Sequence, residues 1–474
     1  MKTPAATALA VLVMLAGCAA RPGTDPSASG NGGSAIDPAE FAALPFLETE
    51  HDHIDPSLHQ GGIRGWTLTA HLPLEEDRGT GYQGEIDVMG DLLVAAFEQN
   101  PGGVTLVDIS DPDHPQRLSH IALDDVVVAD VKLSPDAKTL FVATCTWLLL
   151  GGQVARLDNG PDKLATLADA IGVVAYDVSD PSEPRRISTS PVGRDGVHMI
   201  DLHVIDGRLY VFATTPFYSL HFLATQFLPV GSPDNSVEIL RWDGRLLVPV
   251  SRYDAPEKIG TDFAHDMTVV DDGDQVLMLT AYYDDASIAD VTDPASPRHL
   301  GSFDLTDNGI TGSDVHTVMM QRVGDRRILV TSPELGTGGE ILTIDATDPA
   351  HPTLLGRWGL PHWDQLEGSF WSPHNVNLLD GRAYLAHYHA GAWVLDLSTD
   401  AALAQPTVQA YFAPADLDHP PAKNFLYNGE APSTWDVLPA KGRVFVSDMG
   451  SGLYVLKPDW PIGDAAPYGS RGAS

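Results

Sequence analysis

One short pattern recurs through the chain and constrains its fold more than any other feature. It is an apolar run ending in Asp, followed by a small residue and an Asp-Pro turn that a second proline closes. It reads VTLVDISDPDHP from Val104, VVAYDVSDPSEP from Val173, ASIADVTDPASP from Ala286 and ILTIDATDPAHP from Ile341, with a looser AWVLDLSTD from Ala392. VEILRWDGR from Val237 and GLYVLKPD from Gly452 are degenerate copies, so the number of units is seven. Repetition of this kind signals an architecture in which each unit buries its faces only against its neighbours.

Upstream of every copy lies a pair of strand-like runs joined by a turn, in which a residue is followed by Asp, Asn or Thr and then by apolar positions. IDLHVIDGRLYVFAT from Ile200, HNVNLLDGRAYLAHYH from His374 and WDVLPAKGRVFVSD from Trp435 are the clearest; versions with altered turns begin at Ile86, Ala129, His265 and His316. One further strand follows each Asp-Pro turn, as in QRLSHIAL, RRISTSPV, RHLGSFDL and TLLGRWGL. Four strands in each of seven units predict an all-β, seven-bladed β-propeller. Alternation then sends Leu209, Val211 and Ala213 to one neighbouring blade and Tyr210 and Phe212 to the other. The last unit stops at LYVLKPDW without a fourth strand, whereas GWTLTAHLPL from Gly65 stands alone before the first unit. Pairing these two closes the ring and removes its exposed edge. The propeller is expected to span residues 58–460, followed by a loose tail over 461–474.

Charge narrows the function. Against 28 Lys and Arg stand 64 Asp and Glu, a formal charge of −36 over 474 residues, which repels phosphate backbones and anionic headgroups and excludes a nucleic-acid partner. About 50 of the acidic residues are Asp and about 14 Glu. An Asp before proline accepts backbone N–H bonds and proline stops the strand, so much of this acidity belongs to turns, and Asp108, Asp177, Asp290 and Asp345 are read as structural. Calcium is correspondingly less needed to explain the charge.

The N-terminus reads MKTPAATALAVLVMLAGC: a basic start, an apolar run too short to span a bilayer, and small residues before Cys18. Residues 1–17 are expected to be an export signal. Leu15-Ala16-Gly17-Cys18 resembles the bacterial lipobox, which implies lipidation of Cys18; Ala19 in the following position implies, in a Gram-negative host, sorting to the outer membrane, facing periplasm or exterior. Residues 18–57 are expected to form the lipidated cysteine and a flexible tether, its first part rich in Ser, Gly, Pro and Asp. The other cysteine, Cys145, sits in the strand-like run LFVATCTW and reads as a buried, inert thiol.

The repeats resemble those of the LVIVD-repeat family of bacterial and archaeal surface proteins, through runs such as Thr105-Leu106-Val107-Asp108-Ile109. SPHNVNLLDGRAYLAHYHAGAWVLDLS from Ser372 and STWDVLPAKGRVFVSDMGSGLYVLK from Ser433 are similar to the family's closing repeats. The resemblance covers most of residues 85–457. It is weakest in the third unit, where PFYSLHFLATQFLPVGSPDNS is inserted after Thr215 and no Asp-Pro turn follows. It implies a propeller at the cell envelope and no particular reaction.

Two constellations are candidate sites. Long insertions at 148–170, 217–236, 358–372 and 412–434 fall in connections that share one rim, and such clustering marks the binding face of a repeat protein. The rim candidates are Phe217, Tyr218, Tyr282, Trp363, Trp371, Tyr388 and Tyr427, suited to a protein, peptide or carbohydrate ligand. Nearer the axis, His265, His316 and His374 occupy the same repeat position in three consecutive units. With His389 and Glu334 they form a candidate shell for zinc, copper or iron; the alternative is that these histidines only bond neighbouring blades. The leading expectation is a lipid-anchored, non-catalytic binding propeller, monomeric because a closed ring protects its own edges. The alternative is an envelope metalloenzyme, an oxidoreductase or hydrolase.

Overall fold

The structure is a computed structural model that describes residues 36–44, 61–74, 83–97, 102–123, 126–145, 170–193, 196–215, 236–256, 264–282, 284–311, 313–334, 340–361, 372–414 and 433–463. These residues form seven antiparallel four-stranded blades in a ring. The first blade comprises Gln83–Met89, Leu92–Phe97, Gly103–Asp108 and Gln116–Ala122, and five more follow in chain order from Val127, Ile200, Ala264, Thr317 and Val376. The seventh consists of Thr434–Ala440, Arg443–Asp448 and Gly452–Pro458 and is completed by Trp66–Leu72 from the N-terminal side. First strands are innermost: each touches the next around the ring, and the seventh returns to the first. The chain is thus a seven-bladed β-propeller closed by its N-terminal strand.

Each blade buries both faces, which is why its strands read as near-continuous apolar runs. Seven separate hydrophobic clusters fill the seven blade–blade interfaces. Alternation works as the sequence implies: Val211 and Ala213 enter the cluster shared with the second blade, with Leu209 beside it, while Tyr210 and Phe212 enter the one shared with the fourth. Cys145 is buried.

The Asp-Pro elements are double Asx turns. Asp108, Asp177, Asp290 and Asp345 each accept the N–H two residues on, and the Asp before each proline, at 111, 180, 293 and 348, repeats the bond. These bonds favour the ionised form and lower the pKa of Asp108 and Asp177. In the third blade Asp243 makes the equivalent turn without proline, accepting from Arg245 and Leu246.

Fourth strands carry a feature the repeat pattern did not suggest. Every fourth strand bulges against the third, and in all seven blades the residue after the extra one is small: Ala70, Ser119, Ser188, Ser251, Gly301, Gly356 and Ala410. The serines donate to carbonyls of the next blade's turn, Ser119 to Pro181 and Ser251 to Pro294. At Gly301 the next blade lies closer still, and a Cβ there would stand 1.9 Å from the Pro349 carbonyl oxygen. Gly301→Ala is therefore expected to destabilise by about 1–3 kcal/mol, the range for overpacking, whereas Ser119→Ala should cost about 1 kcal/mol for one lost bond. Comparison of unfolding midpoints checks this, and equal effects would contradict it.

Part of the segment expected to be tether is packed. Residues 38–42 form a one-turn helix, Pro38–Ala42, capped by Asp37. Ile36 and Leu44 are buried against the sixth blade, and Phe41 stacks on Trp358 and meets Trp393 edge-on. Gly62–Arg64 then adds a fifth strand to that blade by pairing with Tyr411–Ala413. Apolar residues spaced along an otherwise polar segment suffice to dock it. Residues 1–35 and 464–474, with Cys18 among them, lie outside the described residues.

Candidate functional site

The seven inner strands share a position near their start, occupied by Asp87, Asp130, Asp201, Asp266, Thr317, Asn375 and Asp436. These side chains knit the blades together. Asp87 accepts from the Leu133 N–H of the second blade, Asp130 from Ile200 of the third and Asp201 from Val269 of the fourth. Thr317 donates to Asn375, and the Asn377 amide donates to Asp436. A water-sized cavity of ≈ 20 Å3 opens on the axis between Glu85, Lys132, Asp201, Asp266, Thr317 and Asn375.

Lys132 is the cation of this centre, its ammonium 2.5 Å from Asp130 Oδ1 with both side chains buried. Burial acts to lower its pKa, but the carboxylates of Asp130, Glu85 and Asp87 outweigh it and the net shift is upward. Burial, reinforced by Asp436 and Asp130, raises Glu85 well above the usual carboxylate range. Burial likewise raises Asp130, Asp436 to about 6 and Asp266 to about 7, with Lys132 opposing.

One residue earlier, in blades four to seven, the rings gather. The register shift between Ala264 and Asp266 makes His265 an extra residue, and the shift between Thr434 and Asp436 does the same for Trp435; such bulges re-aim a side chain. His198, His265, His316, His374 and Trp435 form a continuous arc across five blades, with successive ring centroids 4.6, 4.2, 4.3 and 3.9 Å apart. All five are buried. Burial holds His265 down at about 4 and His374 at about 3, and pushes His198 and His316 well below the usual imidazole value, so the imidazoles are neutral near pH 7.

Glu334 closes on this arc from the exit of the fifth blade's second strand. Its Oε2 lies 3.5 Å from His316 Nε2, and its Oε1 accepts the Tyr388 hydroxyl at 2.6 Å. Burial raises its pKa to about 7, with Tyr388 opposing and Asp314 adding. Ligand atoms of His265, His316 and Glu334 all lie within 4.8 Å of one another.

Of the proposed shell, His265, His316 and Glu334 therefore converge, and His374 stacks on His316 while its Nδ1 donates to the Trp435 carbonyl. His389 is buried, but no coordinating geometry brings it to this trio among the described residues. His198 was not anticipated: it lies two residues before the aligned Ile200, outside the strand periodicity, and its Nε2 is 3.1 Å from His265 Nε2. Asp448, at the matching exit in the seventh blade, is committed to a turn, accepting from Ser433, Gly450 and Ser451. Among the rim candidates, Tyr282 and Tyr388 are buried rather than exposed. The Tyr282 hydroxyl accepts from Ala255 inside the third interface, and Tyr388 is held by Glu334. Phe217, Tyr218, Trp363, Trp371 and Tyr427 lie outside the described residues.

Residues 80–120, which make up the first blade nearly entire, match the LVIVD repeat. The chain carries an LVIVD repeat. No curated protein matches the sequence. Among solved structures, the β-propeller domain of Cps50 (Swd1) from Myceliophteria thermophila is similar with a TM-score of 0.50 at 12% identity, over 82% of this chain and 98% of that one. That likeness concerns the propeller alone. The LVIVD repeat supplies the Asp108 turn and the Asp87 bond to the second blade, so the matched residues are those that build blades; the histidine arc comes from blades three to six.

Proposed function

We propose that this chain is a binding propeller of the cell envelope, held to a membrane by lipid on Cys18, that takes a protein, peptide or carbohydrate ligand at one end of its axis. A single observation carries the reading: the two ends of the ring are unlike. At one end, six of the seven inner hairpins close through two-residue turns. Toward the other run the strand ends that flank all four long insertions, and there the buried imidazoles and Glu334 collect. Polar groups gathered at the strand ends that carry the insertions are what a recognition site needs.

A second reading, an envelope metalloenzyme, is favoured by the donor set of His265, His316 and Glu334. A bound metal with an open position lowers the pKa of water and polarises oxygen ligands. Turnover that disappears with those donors separates it from the first reading.

Capture from envelope extracts, with membrane fractionation of the same samples, tests the binding reading. Forms lacking 217–235 or 415–432, which spare the flanking strand ends, are expected to lose a specific partner at unchanged melting temperature. Cys18→Ser is expected to leave the membrane fraction yet retain capture. Full capture by both deletions would sink the site, and membrane retention of Cys18→Ser would sink the anchor.

A further inference from the structure

The arrangement of lone pairs around Glu334 asks for a cation. The Thr317 hydroxyl is directed at Asn375 Oδ1 over a long 3.4 Å, which leaves it to accept from His316 Nδ1, 3.0 Å away. This assigns the His316 proton to Nδ1 and leaves a lone pair on Nε2. That lone pair faces Glu334 Oε2 across 3.5 Å. Tyr388 occupies the other carboxylate oxygen as a donor, so Oε2 is the atom left to face the imidazole. A separation of 3.5 Å is longer than a hydrogen bond between such groups, but two donors on a tetrahedral metal with bonds near 2.0–2.1 Å stand about 3.3–3.4 Å apart. His265 lies within 4.8 Å of both.

We propose that His265, His316 and Glu334 bind one divalent transition metal, with His198 at hand as a further donor beside His265. Two imidazoles and one carboxylate form a three-donor set with room for an exogenous ligand, as in open zinc and non-haem iron sites. Nitrogen-rich donors favour such metals over magnesium and calcium. The supporting shell is also present. Tyr388 orients the carboxylate, Thr317 orients His316, and the Trp435 carbonyl fixes His374, which stacks behind His316. The centre is independent of the capture reading, since a loop deletion that abolishes capture leaves these donors in place.

Zinc alone is the probe. The full chain, made without an affinity tag and stripped with chelator, is titrated with Zn2+ against a chromophoric competitor, with Mg2+ as the contrast and metal content measured on the product. One equivalent of zinc and no competition by Mg2+ are expected. His265→Ala with His316→Ala should weaken zinc binding by more than about 100-fold, beyond the 10–100-fold typical of supporting residues. His114→Ala with His351→Ala, two exposed turn histidines, should change nothing. Because the inner double variant risks misfolding, Glu334→Gln, of the same shape, provides a second reading: at least a tenfold loss at unchanged melting temperature is expected. Absence of stoichiometric zinc in the folded wild type, or undiminished affinity in Glu334→Gln, overturns the proposal.

Discussion

Replacing Lys132 by methionine is expected to cost about 3–5 kcal/mol at pH 8, the range for leaving a buried charge without its partner, and considerably less at pH 5. Methionine keeps the length of the stem, so packing is preserved and the electrostatics are isolated. In the native protein the ammonium lies against Asp130 with Glu85 and Asp87 in its field. Its folded pKa is raised, so its contribution is fully present below the unfolded value and is intact at pH 8. Without it, the pKa values of Asp130 and Glu85, already raised by burial, rise further. A carboxylate with a raised folded pKa destabilises most above that pKa, and the cost falls as acid protonates it. Denaturation midpoints at the two pH values are the measurement. A loss below 1 kcal/mol at pH 8, or a pH-independent loss, would mean that the axis is solvated and Lys132 is not its keystone.

Asp266→Asn should act in the opposite direction. Burial, with Asp130 and Asp201 nearby, holds Asp266 up at about 7 while Lys132 pulls the other way. The cost of ionising it in the fold is absent below the unfolded value near 4, grows between 4 and 7 and is complete above 7. Asparagine retains the oxygen that accepts the Met267 N–H and carries no charge. The variant is therefore expected to be more stable than wild type by about 2–4 kcal/mol at pH 8 and equal to it near pH 4. The buried histidines contribute the reverse trend, because their depressed folded values give stability that is present above about 6.5 and is lost as pH falls toward 4 or 3. That trend is common to both proteins and cancels in the difference. A variant less stable at pH 8 would show that Asp266 is paired rather than strained.

Much of this architecture was legible because repetition turns local signals into global ones. The Asp-Pro turn marks the end of the third strand in four blades, the lone strand at Trp66–Leu72 completes the seventh blade, and the alternation at 209–213 assigns faces correctly. The alignment of His265, His316 and His374 also placed three distant histidines in one arc, since equivalent positions on adjacent blades are neighbours. What escaped was whatever broke the period. His198 precedes its strand, Glu85 sits in a two-residue irregularity between Gln83 and Ile86, and Lys132 points into the axis from a strand position that is apolar or polar elsewhere. The docked helix Pro38–Ala42 and the three-residue strand Gly62–Arg64 have no pattern of their own, because only the sixth blade makes them stable. Tyr282 and Tyr388, both rim candidates, each turn inward to a polar partner.

A metal held between the histidine arc and Glu334 would make this region a site rather than a seam between blades. Anomalous diffraction at the zinc edge from zinc-loaded crystals tests it most directly. One strong peak is expected at about 2.0–2.2 Å from a nitrogen of His265, a nitrogen of His316 and an oxygen of Glu334. A loaded protein with no peak between these three residues would contradict it.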